Sequence, residues 1–456
     1  MSTTYAWYVV GILMFAYVVS FVDRLILGLL VQPIKADLGI TDTQVGLLAG
    51  IGFALFYTVM GVPLARLADR SSRKWLIVCG VSLWSAATAA SAFADSFAGL
   101  LVARIGVGVG EATLTPAATS MIADYFPRDR VARALGVYST GVYLGAGVAL
   151  LAGSLVVTAV SSGGPLQLAG LGEFNTWQLA FLLAALPGVL VVGLMLTVRE
   201  PTRTEHAGRA AATSSAAASS SAAARGGAAT TDVAAPSLRD LLQFLRAHRR
   251  LLIAHCIGYG ALGTAVTAWL VWAPEMLRRS FNVPIGEAAF VYGALLVSLG
   301  TAGPFLGGWW AQRAAARGHA DAEIRVSMIA TLLVSPLVIA APLMPSIALT
   351  AAMLAPVVLL LAVPQGLAAA VLQLIAPNRL RGQVLSSFML VAVLLAYLIG
   401  PTSVPLIATR VFGSDQELDR ALSLLCGVLI PVAALALAMA RRPYRDLMVA
   451  GGRVSR

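Results

Sequence analysis

A short charged stretch between two apolar runs decides how this chain folds: residues 65–74 read ARLADRSSRK. The flanking segments, at 43–66 and 74–94, carry no charged residue except where they meet this stretch. A membrane-spanning helix needs about 20 mostly apolar residues, and both segments are long enough. We therefore interpret 65–74 as a loop between two spanning helices. The same alternation of apolar runs and short basic loops continues along the chain.

The composition of the whole chain agrees with this interpretation. Hydrophobic residues occupy 59% of the 456 positions and charged residues only 12%, whereas a soluble domain carries about 25% charge. A surface that faces lipid explains this deficit, and spanning helices with short loops account for the full length. We predict an all-α membrane protein with twelve transmembrane helices in two pseudo-symmetric six-helix bundles. The predicted helices cover roughly residues 7–31, 43–66, 74–94, 97–124, 131–159, 177–198, 249–278, 285–312, 325–343, 346–376, 382–410 and 418–441.

The placement of lysine and arginine predicts how the helices are oriented. The loops on one side hold most of these residues, and cytoplasmic loops carry such an excess. We predict a multi-pass protein of the inner membrane with both termini in the cytoplasm. The other side has only Lys35, Arg278, Arg279, Arg410 and Arg420. The short loops on the predicted cytoplasmic side hold Arg66, Arg70, Arg73, Lys74, Arg128, Arg130, Arg133, Arg313, Arg317, Arg325, Arg379 and Arg381, and the long middle segment and the C-terminal tail add many more.

A low-complexity segment separates the two sets of helices. Residues 210–231 are nearly all Ala, Ser, Gly and Thr, which leaves too little large apolar surface to fold alone. Leucines at 238, 241, 242 and 245 then recur among arginines, which predicts an amphipathic helix on the inner leaflet; a simple continuation of the linker is the alternative. The predicted division is an N-terminal bundle at 1–200, a cytoplasmic linker with this helix at 201–248, a C-terminal bundle at 249–441 and a cytoplasmic tail at 442–456.

Four ionisable residues lie deep inside apolar runs: Asp23 and Arg24 in the first predicted helix, and Arg104 and Glu111 in the fourth. Charges at the membrane centre are costly, so they usually face a cavity and pair with one another. The seven-residue spacing of Arg104 and Glu111 puts both on one helix face, about 10 Å apart. The four charges sum to zero, so the cluster can bind either a proton or an anion. A static ion-pair network that fixes the two helices is the alternative.

Features that suggest other functions have simpler explanations. The net charge of +11 falls in short loops rather than on one face, so we expect no nucleic-acid partner. Gly106, Gly108 and Gly110 lack the strand that precedes a dinucleotide-binding loop, and close helix packing explains them. The four histidines and three cysteines form no metal-binding or catalytic pattern. We expect no metal, no cofactor and no enzymatic activity.

Six segments are similar to motifs of one transporter family: Phe21–Arg24, Leu67–Lys74, Arg104–Ala112, Ile122–Phe126, Trp272–Pro274 and Pro377–Gly382. Over nearly its full length the chain resembles the major facilitator superfamily, and its first half looks most like the spinster group. The match has departures. Ala65 and Ser72 stand where the loop pattern usually has glycine, and Gln312 stands where its second copy often has an acid. The resemblance therefore implies a weaker or neutral gate in the second half.

The resemblance implies roles for eight ionisable residues. Four of them, Asp23, Arg24, Arg104 and Glu111, would line a central cavity, with Glu111 as the proton-coupled switch. The other four, Asp69, Arg70, Arg73 and Arg381, would form a cytoplasmic gate. The implied protein is a monomeric, proton-coupled secondary transporter that moves an organic or lipid-like anion by alternating access. A sugar-acid or multidrug carrier of the same fold is the alternative within transport, and a non-transporting receptor or enzyme is the alternative outside it.

Overall fold

The structure, a computed structural model, describes residues 3–126, 130–161, 166–168, 172–201, 238–377 and 380–450. Within these residues eleven helical segments are long and apolar enough to cross a membrane. A further helix at Arg73–Ser91 is less apolar, because serine and threonine recur along it, yet it packs against its neighbours in the first half. The predicted all-α fold with two six-helix bundles is confirmed.

The first half forms six spans from nine helices, because two spans are interrupted and one short helix lies outside them. One interruption is at Gly50 and the other lies between Glu111 and Leu114. Polar caps set several helix starts: the hydroxyls of Thr41, Ser72 and Ser96 accept from backbone N–H groups of the first turn. The helices are α1 (Thr3–Leu29), α2 (Val31–Leu38), α3 (Asp42–Ala49), α4 (Ile51–Arg70), α5 (Arg73–Ser91), α6 (Phe97–Glu111), α7 (Leu114–Tyr125), α8 (Val131–Ser161) and α9 (Thr176–Thr197).

The second half begins with the predicted amphipathic helix. Its apolar residues Leu241 and Phe244 are buried and the helix packs against the second bundle; the linker at 202–237 lies outside the described residues. A π-helical turn at Leu296–Gly300 joins two helices into one span. The helices are α10 (Leu238–Ala247), α11 (Arg249–Phe281), α12 (Ile285–Leu295), α13 (Thr301–Ala316), α14 (Ala322–Ala340), α15 (Ile347–Ile375), α16 (Arg381–Arg410) and α17 (Leu418–Ala450).

Two elements differ from the prediction. A small antiparallel hairpin, β1 (Leu166–Leu168) and β2 (Gly172–Phe174), lies between α8 and α9, where a loop outside the lipid pairs its backbone groups. Helix α17 continues to Ala450, so the tail predicted to start at 442 is helical in its first part. Tyr444 explains this, because it is fully buried and donates to Glu323 at 2.8 Å.

The two halves meet along three contacts: α1 with α11, α8 with α12, and α3 and α4 with α16. Helix direction alternates, so the start of α1, the end of α17 and the loop at 65–74 lie at one end of the bundle. We call this end the arginine-rich face. The segment from α2 to α3 and the loop between α16 and α17 lie at the other end, which we call the opposite face. The interior between the halves is where the buried charges lie.

Candidate functional site

Arg24 and Glu111 form an ion pair inside the first half. Nε of Arg24 donates to Oε2 of Glu111 at 2.5 Å, and the two side chains are 8% and 0% exposed. Arg24 belongs to α1, whereas Glu111 is the last residue of α6. Because the helix stops there and α7 starts only at Leu114, the acid lies at a break in the span.

Arg104 and Asp23 lie next to this pair but are not paired with each other by charge. Nη1 of Arg104 donates to the backbone oxygen of Asp23 at 2.7 Å. Arg104 is only 1% exposed, and no carboxylate of the described residues lies within salt-bridge distance of it. The carboxylate of Asp23 likewise has no ion-pair partner among the described residues, and its polar neighbour is the Thr88 side chain. The structure thus brings all four predicted residues together, with one direct ion pair and two incompletely compensated charges.

Aromatic rings hold Arg24 independently of Glu111. The guanidinium carbon lies 5.0 Å from the ring centre of Phe21, 4.7 Å from that of Phe53 and 5.0 Å from that of Tyr57. Each such cation–π contact contributes about 0.5–2 kcal/mol. Tyr397 of α16 accepts from Nη1 at 3.5 Å. Arg24 can therefore exchange one carboxylate for another without losing its position.

A narrow cavity adjoins the two arginines, and both halves form its walls. Any relative movement of the halves therefore changes access to Arg24 and Arg104. A second cavity, lined almost entirely by apolar side chains, lies beside it, and Leu270 lines both. The first cavity is lined by Phe21, Arg24, Leu25, Ala49, Phe53 and Arg104 of the first half and by Thr267, Leu270, Val271 and Tyr397 of the second.

Three of the four predicted gate residues have described side chains, and their recorded contacts differ. Arg73 is 1% exposed and binds Asp124 of α7 and Glu200, with Nε to Oε1 of Glu200 at 2.9 Å. These contacts are within the first half. Arg70 is exposed, and Arg381 donates to the backbone oxygen of Ala376 at 3.3 Å. The side chain of Asp69 lies outside the described residues, so the gate stays a prediction.

The uncharged part of the site was not predicted from the sequence. Tyr17 and Phe21 are four residues apart in α1, and so are Phe53 and Tyr57 in α4. This spacing puts each pair on one helix face. Such aromatic pairs are usually ordinary packing, so their position near Arg24 was not evident. Tyr397 carries no signal in the sequence, because only the contact between the halves brings it to Arg24.

Comparison with solved structures supports this architecture. A bacterial homolog of the human lysosomal transporter Spinster, in an inward-facing and unoccupied conformation, is 26% identical, and the match covers 98% of both chains with a TM-score of 0.76. The D-xylose-proton symporter is only 14% identical over 95% of this chain and 97% of its own, with a TM-score of 0.66. That second likeness concerns the fold alone.

Curated relatives include carriers of different types. An MFS-type efflux pump of Mycolicibacterium smegmatis is 27% identical over 68% of this chain and 64% of its own length. Protein spinster of Drosophila melanogaster is 23% identical, with 67% of this chain and 46% of its own matched. A probable L-galactonate transporter of Escherichia coli is 24% identical, with shares of 65% and 60%. The chain thus spans less than two thirds of the length of each of these relatives.

The family assignment rests on a longer match. Residues 13–401 match the family model of the Major Facilitator Superfamily, which covers most of both helical bundles. The fold, the central cavity between the halves and the relatives agree with this match. The chain is a multi-pass membrane protein related to spinster proteins, to efflux pumps and to sugar-acid carriers, and it belongs to the major facilitator superfamily.

Proposed function

We propose that the protein is a secondary active transporter that moves an organic or lipid-like anion by alternating access, coupled to protons at Glu111. In this proposal it resides in the inner membrane as a monomer with both termini in the cytoplasm. Arg104 and Arg24 bind the anionic group of the substrate. Asp23 is a second acid that can take up a proton in the same cavity.

The incomplete compensation of Arg104 carries the proposal. A buried guanidinium that donates to one backbone oxygen keeps a positive charge without a carboxylate partner. Such a charge is costly in an apolar interior and is stabilised when an anion binds. The cavity beside it gives an anion a place to bind. Asp23 can lose its charge by taking up a proton whereas Arg104 stays charged, so this supports an anionic substrate over a cationic one.

Competition for Arg24 explains the proton coupling. Ionised Glu111 occupies Arg24, whereas protonated Glu111 no longer attracts it and leaves the guanidinium free for the substrate. A proton and an anion therefore bind together, and the substrate binds more weakly as pH rises through the pKa of Glu111. Movement of the halves would change which group pairs with Arg24, and this links proton exchange to the conformational cycle.

The adjoining apolar cavity favours a lipid-like anion. Its wall includes Trp269, Leu270, Tyr292 and Leu354, and Leu270 also lines the charged cavity. Both cavities are narrow in this structure, so an apolar chain attached to an anionic group would lie there only when the halves move and widen the space, while the charge contacts the arginines. A sugar acid, the substrate class in the name of the Escherichia coli relative, would use only the charged cavity. The two classes therefore differ in whether changes at the apolar wall weaken binding.

The test uses purified protein with lysophosphatidylglycerol and L-galactonate as probes. Thermal shift at two pH values identifies which probe binds, and proteoliposome uptake with and without an imposed proton gradient measures coupling. Glu111→Gln mimics the protonated acid, so it should keep binding, lose its pH dependence and exchange substrate without proton-driven accumulation. Arg104→Gln removes a charged hydrogen bond worth about 1.5–3 kcal/mol and should weaken binding roughly 10- to 100-fold.

The matched control is Glu287→Gln in α12, an exposed acid remote from the cavity, which should behave like the wild type. If Glu111→Gln still accumulates substrate in response to protons, the coupling role assigned to Glu111 is wrong and Asp23 becomes the next candidate. If Arg104→Gln binds each probe as tightly as the wild type does, the proposed anion site is refuted.

A further inference from the structure

Six charged residues meet where the two halves touch at the opposite face. Three are cationic and three are anionic, so the group is neutral. Two come from α2 and the start of α3 in the first half, and four come from α11 and the loop after α16 in the second half. This opposite-face cluster consists of Lys35, Asp42, Glu275, Arg278, Arg279 and Asp415.

Contacts of the cluster run from one half to the other. This distinguishes them from a pair that fixes one helix to its own bundle, because they exist only while the halves are together on this side. They also contain one uncharged partner, Gln32 of α2. The crossing contacts are Lys35 Nζ to Asp415 Oδ2 at 2.8 Å, Arg279 Nη1 to Asp42 Oδ2 at 2.6 Å, and Gln32 Nε2 to Glu275 Oε1 at 2.7 Å.

The cluster has a dry centre and a wet rim. Arg279 and Asp42 are 1% and 0% exposed, so water does not screen their attraction. Lys35 and Asp415 are 19% and 38% exposed. The hydrogen bond from Lys35 holds the pKa of Asp415 below its ordinary value, so this rim pair stays ionised at neutral pH.

We propose that the three crossing contacts of the opposite-face cluster form a latch: they hold the two halves together on the side away from the arginine-rich loops and separate whenever the cavity opens to that side. A buried ion pair suits this task, because its attraction is largely offset by the cost of removing both charges from water. When the halves part, water hydrates the freed charges. The latch can therefore be strong enough to close the cavity and still reversible.

The arrangement at the arginine-rich face is different. There, Arg73 pairs with Glu200 in the first half, and Asp321 pairs with Arg325 in the second. Those pairs stiffen each half and do not depend on the distance between the halves. Close packing of α1 against α11, which belong to different halves, supports the latch independently. A Cβ built on Gly28 of α1 would lie 2.9 Å from the backbone oxygen of Val271 in α11.

The experiment measures the distance across the opposite face, so its result does not depend on the substrate or on proton coupling. Spin labels are attached at Ala98→Cys in the first half and Val411→Cys in the second, both exposed, after the three native cysteines are replaced by serine. Electron double resonance then gives the share of molecules with separated halves. We expect Arg279→Gln to raise that share roughly tenfold, because Asp42 loses its partner across the interface.

Arg278→Gln is the matched control. Arg278 lies beside Arg279 on α11 and also binds Glu275, at 2.8 Å, but this pair is within one helix and Arg278 is 29% exposed. Its loss should leave the distance distribution unchanged. Lys35→Gln, at the wetter rim, tests the latch if Arg279→Gln does not fold, and it should shift the distribution in the same direction. Unchanged distances in Lys35→Gln and in folded Arg279→Gln, or an equal shift in Arg278→Gln, would overturn the proposal.

Discussion

Gly46 offers the sharpest test of how closely the halves pack at the opposite face. It lies in α3, and a Cβ at this position would lie 2.7 Å from the backbone oxygen of Pro401 and 3.2 Å from Cα of Thr402 in α16. These are backbone atoms that no side-chain rotation can move. Gly46→Ala therefore forces the two halves apart by a few tenths of an ångström or leaves a clash.

The size of the shift follows from comparing two states: the closed state, in which the halves touch at the opposite face, and the open state, in which they are separated there. Adding a methyl group to a tightly packed contact costs about 1–3 kcal/mol, and only the closed state pays it. Alanine also stabilises a helix by roughly 0.5–1 kcal/mol over glycine, but this gain is equal in both states and cancels. The equilibrium should shift toward separated halves by roughly 5- to 150-fold.

The labels at Ala98→Cys and Val411→Cys measure this shift. Gly11→Ala in α1 is the control, since a Cβ there meets no atom within 4 Å while its effect on helix propensity is the same. We expect a longer distance in Gly46→Ala and the wild-type distance in Gly11→Ala. Identical distributions in the two variants would refute the reasoning that tight backbone contact defines the closed opposite face.

Two further predictions concern the arginine-rich face. Burial raises the pKa of Glu200, but hydrogen bonds from the Lys74 backbone and from the Arg73 and Ser72 side chains outweigh it and hold the pKa below its ordinary value. The stabilisation by ionised Glu200 is therefore full above the ordinary pKa of about 4.3 and is lost as pH falls through the lower pKa of the folded state. Glu200→Gln should reduce the free energy of unfolding by about 1–3 kcal/mol at pH 7 and by less in acid. Equal melting temperatures of the variant and the wild type at pH 7 would contradict this. A reporter enzyme that is active only in the periplasm, fused after Arg456, should be inactive if both termini are cytoplasmic, and strong activity would reject the topology.

The sequence predicts the spans better than it predicts the contacts between them. Apolar length and basic loops place twelve helices, since both signals are local. The clustering of Arg24 with Glu111 could also be predicted from the sequence, because isolated charges in apolar helices need partners. The role of Tyr397 and the pairing of Lys35 with Asp415 could not be predicted in this way. In the sequence, Lys35 is one of a few basic residues on the less basic side. No feature of the neighbouring sequence distinguishes a residue of the latch from an ordinary surface charge.

One helix connects the central cavity to the latch. Helix α11 contributes Thr267 and Val271 to the cavity wall and Glu275 and Arg279 to the opposite-face cluster. Val271 and Glu275 are four residues apart, which is about one helical turn or 6 Å. Pro274 lies within this turn and removes one of its backbone hydrogen bonds, but the distance is short and the helix is packed on both sides of the proline. We therefore expect that a group which enters the cavity and displaces its wall also displaces the latch residues. The proposed binding at Arg24 and Arg104 and the proposed closure at the opposite face would then be coupled through the position of α11.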